Sequence, residues 1–135
     1  MPIMLRTSNK VVHPELSYII NGLLFEIHNA LGRFCREKQY GDALATLMDK
    51  RNVNYEREKA LPLKFVGNRF TNKADFIVNK QILLELKAKP TITKDDYYQV
   101  QRYLEAADLR LGIVANFRNK YLKPTRIIRS NSYNS

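Results

Sequence analysis

Apolar residues recur at three- and four-residue steps between Glu15 and Leu31, at Leu16, Ile19, Ile20, Leu23, Leu24, Ile27 and Leu31, the period of an amphipathic helix. Pro14 suits the first turn of that helix and Gly32 its end. A second helical segment, from about Cys35 to Lys50, carries Tyr40, Ala43, Leu44, Leu47 and Met48 on one stripe, with Glu37 at the edge of the stripe one turn earlier. From Asn52 to Ala88 the pattern changes to short β-type runs broken by Pro62, by Gly67-Asn68 and by Asn79-Lys80, which predicts three antiparallel strands. The next helix is the best marked at its start: Thr93 is followed three residues later by Asp96, a variant of the capping box, and Tyr97, Val100, Leu104 and Ala107 form its core stripe. "LRLGIVANF" has the continuous apolar character of a buried strand, and "PTRIIRS" suits an edge strand before a loose Ser/Asn tail.

Strand alternation carries the first chemical inference. Ala74, Phe76 and Val78 share one face of their strand, and Ile82, Leu84, Leu86 and Ala88 share one face of the next. A three-residue loop, Asn79 to Gln81, pairs Val78 with Ile82, Phe76 with Leu84 and Ala74 with Leu86, giving one continuous apolar face. The same register sets Asp75 opposite Glu85, with Lys87 beside them. Cross-strand Cβ atoms lie about 5 Å apart, so two acids placed there repel unless something positive intervenes. Hard oxygen ligands on two strands, with positions left for water and a phosphate, suit a magnesium ion. The competing reading is a solvated sheet face carrying a Glu-Lys ion pair.

Composition narrows the function classes. A chain of 135 residues, 44% of them hydrophobic, suits one globular domain. No stretch approaches the roughly 20 apolar residues of a membrane span, and the first residues show no secretory signal, so no membrane partner and a cytoplasmic location are expected. The single cysteine, Cys35, excludes an internal disulfide and is read as a small hydrophobe in a helix; no Cys/His cluster has zinc spacing. Lysine and arginine number 23 against 13 acids, a formal +10, which favours a polyanionic partner. There is no Gly-rich phosphate loop and no Gly-x-Ser-x-Gly elbow, and the two histidines are too few for a histidine-based metal hydrolase.

Asp75, nine intervening residues and then Glu85-Leu86-Lys87 resemble the Asp…Glu-x-Lys core of the PD-(D/E)XK nuclease superfamily. Over about residues 15 to 129 the chain is also similar to a family of small bacterial proteins named GxxExxY proteins, regarded as nucleases. The stretches that carry this are "FEIHNALG", "EKQYGDAL", "YEREKALPLKFVGNRF", "ADFIVNKQILLELKA" and "YLEAADLRLGIVANF". Glu37 and Tyr40 match the Glu-x-x-Tyr of that signature, while Phe34 stands where it has glycine and Ala74 where the superfamily name has proline. The resemblance implies a restriction-endonuclease-like α/β core over about residues 14–129, a mixed β-sheet with helices on both sides in the order α-α-β-β-β-α-β-β.

The resemblance and the residue chemistry together imply a set of roles. Asp75 and Glu85 are expected as metal ligands, with the Leu86 carbonyl as a third and Glu37 as a water-mediated one. Magnesium is the expected cofactor, with manganese as its substitute. Lys87 is expected to orient or deprotonate water and to offset charge on the phosphate, and Gln99 to position water or phosphate. As alternatives, Glu37 is a surface glutamate beside Lys38, and Gln99 a helix-surface amide. His28 is read as a hydrogen-bonded structural histidine and Tyr103 as a core or packing wall; Glu58 and Lys59 fit the family pattern without an assigned task. Lys94, Arg102, Arg118, Lys120, Lys123, Arg126 and Arg129 are candidates for a nucleic-acid track, or else an ordinary basic surface. The leading expectation is a metal-dependent nuclease acting on DNA, with a homodimer a plausible assembly. The alternatives are a non-catalytic nucleic-acid-binding module and an assembly protein that retain the nuclease fold.

Overall fold

The protein is described here from a computed structural model, which covers residues 12–62 and 72–130. The predicted break at Gly67-Asn68 and the Ser/Asn tail after Ser130 lie outside the described residues. Two helices come first, α1 (Pro14–Leu31) and α2 (Glu37–Lys50). Strands β1 (Tyr55–Leu61), β2 (Asn72–Val78) and β3 (Ile82–Lys87) follow. Helix α3 (Lys94–Ala107) then leads to β4 (Leu111–Asn116) and β5 (Thr125–Ile128).

The strands form one five-stranded mixed sheet in sequential order, antiparallel except where β3 runs parallel to β4. A parallel pair needs a crossover, and α3 supplies it. β4 is buried along its whole length, as a strand covered on both faces must be. Helices α1 and α2 pack Ile20, Leu24, Tyr40, Leu44 and Met48 against Phe76, Leu84 and Ile113 on one face. On the other, α3 packs Val100, Tyr103 and Leu104 against Ile77, Leu83 and Val114. Gly112 makes this second approach close, because a Cβ there would meet Val100 Cγ1 at 2.8 Å. The sheet therefore has helices on both sides, as expected.

Several details differ from the pattern reading. On α3 the inward stripe is Asp96, Val100, Tyr103 and Leu104, whereas Tyr97 is 43% exposed. The Tyr97 ring instead meets Tyr98 edge-on and its hydroxyl accepts from Gln101, contacts a surface tyrosine can make in water. Ile19 and Leu31 of α1 are also exposed. Cys35 lies in the turn before α2 rather than within it.

That turn is built around Tyr40. Its ring is fully buried and stacks on Phe117, with centroids 4.0 Å apart and planes 8° from parallel. Its hydroxyl donates to Gly32 O at 2.6 Å and accepts from Cys35 N–H at 3.1 Å, joining the end of α1 to the start of α2. His28 ties the same region to the chain after β4, its Nε2 lying 3.2 Å from Phe117 O and 2.9 Å from Asn119 O. Two carbonyl acceptors on one ring nitrogen require the proton there, so His28 is a structural donor. Phe34 keeps φ outside the left-handed region, so a side chain at this turn position carries no backbone strain.

Replacing Tyr40 with phenylalanine keeps the ring stack and removes both hydrogen bonds. Urea denaturation of Tyr40→Phe should show a loss of about 1–2 kcal/mol with an unchanged slope.

Candidate active site

The β2–β3 turn uses Asn79 to Gln81, with Asn79 and Lys80 at positive φ, and the ladder pairs Val78 with Ile82, Ile77 with Leu83 and Phe76 with Leu84. The predicted register holds up to this point. The ladder then stops, and the expected pairing of Ala74 with Leu86 is not formed. Ala74 joins the core under α3, while Phe76 and Leu86 remain in the core under α1 and α2. The single apolar face drawn from alternation is therefore broken at Asp75. The cause is a change of hydrogen-bond partner.

Asp75 N–H donates to Glu85 Oε2 at 2.7 Å, and Leu86 N–H donates to Asp75 Oδ2 at 2.8 Å. Each acid thus caps a backbone donor of the opposing strand, and side chains replace the ladder where the two strands part. Glu85 is only 3% exposed and Asp75 is half-buried. Burial first, and the Asp75 carboxylate second, push the Glu85 carboxyl up to about 8. Asp75 is also raised, by burial against the opposing Leu86 N–H, with Glu37 and Glu58 adding to the rise. Two buried acids that resist ionising together form an environment that a cation relieves.

β1 adds a residue that pattern reading left without a task. β1 and β2 pair in one constant register from Tyr55–Val78 to Leu61–Asn72, with the pairing interrupted only between Arg57–Phe76 and Lys59–Ala74. Glu58 occupies that gap opposite Asp75, with φ +50°. An L residue pays roughly 1–2 kcal/mol for the left-handed conformation, a cost that clusters at functional sites. Glu58 and Asp75 line a cleft of about 310 Å³ together with Glu37, Lys38, Gly41, Arg57, Phe76 and Leu86. Its floor is the parted sheet and its wall the first turns of α2, which bring Glu37 to the site.

Lys87 is set from the α3 side. Its ammonium donates to Gln99 Oε1 at 3.1 Å and stands 3.8 Å from Asp96 Oδ1, with its side chain 15% exposed. Asp96 accepts from Thr93 N–H and Oγ and from Lys89 Nζ, closing the predicted capping box around two lysines. Burial pushes the Asp96 carboxyl up, but Lys89, Thr93 and Lys87 outweigh it and hold it at about 2. Asn116 fixes the end of β3: its side chain exchanges hydrogen bonds with Lys89 N–H and O. Sequence reading saw Asp96 only as a cap. Its second task could have been found from the cap's spacing to Gln99, one turn on.

Asp75, Glu85, Leu86, Lys87, Gln99 and Glu37 are thus all brought to one region of the sheet. Of the candidate track, Lys94, Arg102, Lys120 and Lys123 are exposed, while Arg118 is half-buried and donates to Ala88 O. Arg126 spans to Ser17 Oγ and Val12 O, and Arg129 pairs with Asp108, so these two serve the fold. Among the described residues no three His, Cys, Asp or Glu side chains converge closely enough to hold an ion alone. Magnesium does not need three: it keeps several waters and takes one or two carboxylates plus substrate oxygens. Asp75 and Glu85, each with one oxygen engaged by a backbone N–H of the opposing strand, fit that requirement.

A mixed sheet covered by helices on both sides, with Asp, Glu and Lys gathered where two central strands part, defines the class of restriction-endonuclease-like α/β proteins. The family model of the PD-(D/E)XK nuclease superfamily matches residues 14–129, and the chain belongs to that superfamily. No curated protein and no solved structure matched the chain. Membership carries a nucleic-acid substrate and, typically, a divalent metal ion. No helix among the described residues is long and apolar enough to cross a membrane.

The raised Glu85 carboxyl makes a signed prediction. With its folded value near 8 against roughly 4.3 unfolded, the folded chain binds the proton more tightly, and Asp75 acts in the same direction. That stabilisation is complete below the unfolded value and is lost as pH rises through the folded one. The thermal midpoint of metal-free protein should fall from about pH 5 to about pH 8.5, and Glu85→Gln should flatten the fall.

Proposed function

We propose that the protein is a magnesium-dependent nuclease that hydrolyses DNA phosphodiester bonds at the β2–β3 cleft. The observation that carries this reading is the reciprocal capping of the two strands by Asp75 and Glu85, which gathers a half-buried and a buried carboxyl where the ladder stops. Asp75 and Glu85, with the Leu86 carbonyl as a further oxygen, would hold a magnesium ion, which would supply Lewis-acid polarisation of the phosphate. Glu37 and Glu58 extend the acidic lining toward solvent.

The remaining work falls to the chain itself. Lys87 places a positive charge where negative charge grows on the phosphate in the transition state, and its fixed position means little reorganisation is needed. Gln99 and Asp96 orient that ammonium from α3 by the contacts at 3.1 and 3.8 Å. Gln99 is therefore a positioning residue for lysine. Lys94, Arg102, Lys120 and Lys123 draw the polyanion by sequence-independent phosphate contacts.

Purified protein should be incubated with single-stranded, duplex and branched DNA and with RNA, in magnesium, manganese or EDTA. The expected result is DNA cleavage that EDTA abolishes and that Asp75→Ala and Lys87→Ala each lower by about 100-fold or more. Salt-sensitive DNA binding without any cleavage, unchanged by EDTA and by both substitutions, would instead assign a binding module.

A further inference from the structure

Phe34 is 76% exposed in the turn between α1 and α2, although a ring of that size gains most from burial. It is flanked by charge. The Arg33 guanidinium lies 5.0 Å from the ring centroid and that of Arg118 5.9 Å. Both arginines are anchored to backbone: Arg33 Nε donates to Arg118 O at 2.8 Å, and Arg118 Nη2 to Ala88 O at 3.2 Å. The three side chains thus form a supported unit. Just beyond, the Lys120 ammonium stands 5.5 Å from the ring of Tyr121, itself 79% exposed.

Two links tie the unit to the neighbourhood of the cleft. Phe34 precedes Glu37 by three residues, so their Cα atoms are at most about 11 Å apart. Arg118 grips the carbonyl of the residue that follows Lys87. A strand whose phosphate occupies the cleft would therefore meet this unit within a few residues' reach.

An exposed aromatic ring with two guanidinium groups beside it selects its ligand by chemistry. Nucleic-acid bases stack on such faces while neighbouring phosphates pair with the cations. A duplex keeps its base faces stacked inside and offers only phosphates; an acidic peptide offers charges but no ring to stack. The formal charge of +10 adds general attraction for a polyanion. We infer that Arg33, Phe34 and Arg118 form a stacking platform for an unpaired nucleotide, and that the substrate is DNA with a single-stranded segment beside the bond to be cut. The cleavage part rests on the nuclease reading; the platform does not.

The test is binding by the full chain in EDTA, read by fluorescence anisotropy with a labelled oligothymidylate, a blunt duplex and an oligouridylate. Wild type should be compared with Phe34→Ala and Phe34→Tyr. Phe34→Ala should weaken the DNA single strand by about 5- to 100-fold and the duplex by less than about twofold, and Phe34→Tyr should restore the single-strand affinity. Equal loss on both DNA forms, no loss on the single strand, or an effect confined to RNA overturns the inference. A binding difference that persists in a protein without cleavage in magnesium would remove the nuclease reading and keep the platform; cleavage with no Phe34 effect would do the reverse.

Discussion

Two hydrogen bonds, Asp75 N–H to Glu85 Oε2 and Leu86 N–H to Asp75 Oδ2, decide the character of the middle of the sheet. An ordinary antiparallel pair would spend those N–H groups on carbonyls and keep the strands together. Here two carboxylates take them, the strands part, and a charge-rich opening forms beside the core. Each acid is satisfied on one oxygen and unsatisfied in charge, a combination that fully paired ions do not produce. The break in alternation at Ala74, the interruption opposite Glu58 and the exit of Lys87 toward α3 all lie within a few residues of this exchange.

The rest of the fold holds that opening in place. Tyr40, stacked on Phe117, fixes the turn that aims Glu37 at the cleft, and His28 clamps α1 to the segment after β4. On the other face, Gly112 lets α3 lie close to the sheet, bringing Asp96 and Gln99 within reach of Lys87. Glu37 thus reaches the strand pair from one layer, and Gln99 and Asp96 reach Lys87 from the other.

Much of this was legible in the sequence. Period and punctuation located the helices, and the three-residue turn at Asn79 to Gln81 gave the register that sets Asp75 near Glu85. What alternation could not give was the interruption itself, because side chains that compete for backbone donors leave no mark in a hydrophobic pattern. Glu58 was hidden for another reason: the connection 62–71 leaves the β1–β2 register open from sequence, so its place opposite Asp75 came only from pairing. On α3 the tyrosines at 97, 98 and 103 fit more than one stripe, and packing chose Tyr103. Among the basic residues, charge alone did not show that Arg126 and Arg129 engage partners within the fold.

The most direct measurement is calorimetric titration of magnesium into metal-free protein near neutral pH, in two buffers of different ionisation enthalpy. The expected result is saturable binding that releases part of a proton, because the ion favours the ionised form of Glu85, and that Glu85→Gln weakens while removing the proton release. Wild-type protein that takes up no magnesium, or takes it up with no proton released and no effect of Glu85→Gln, would contradict a metal site at the Asp75–Glu85 pair.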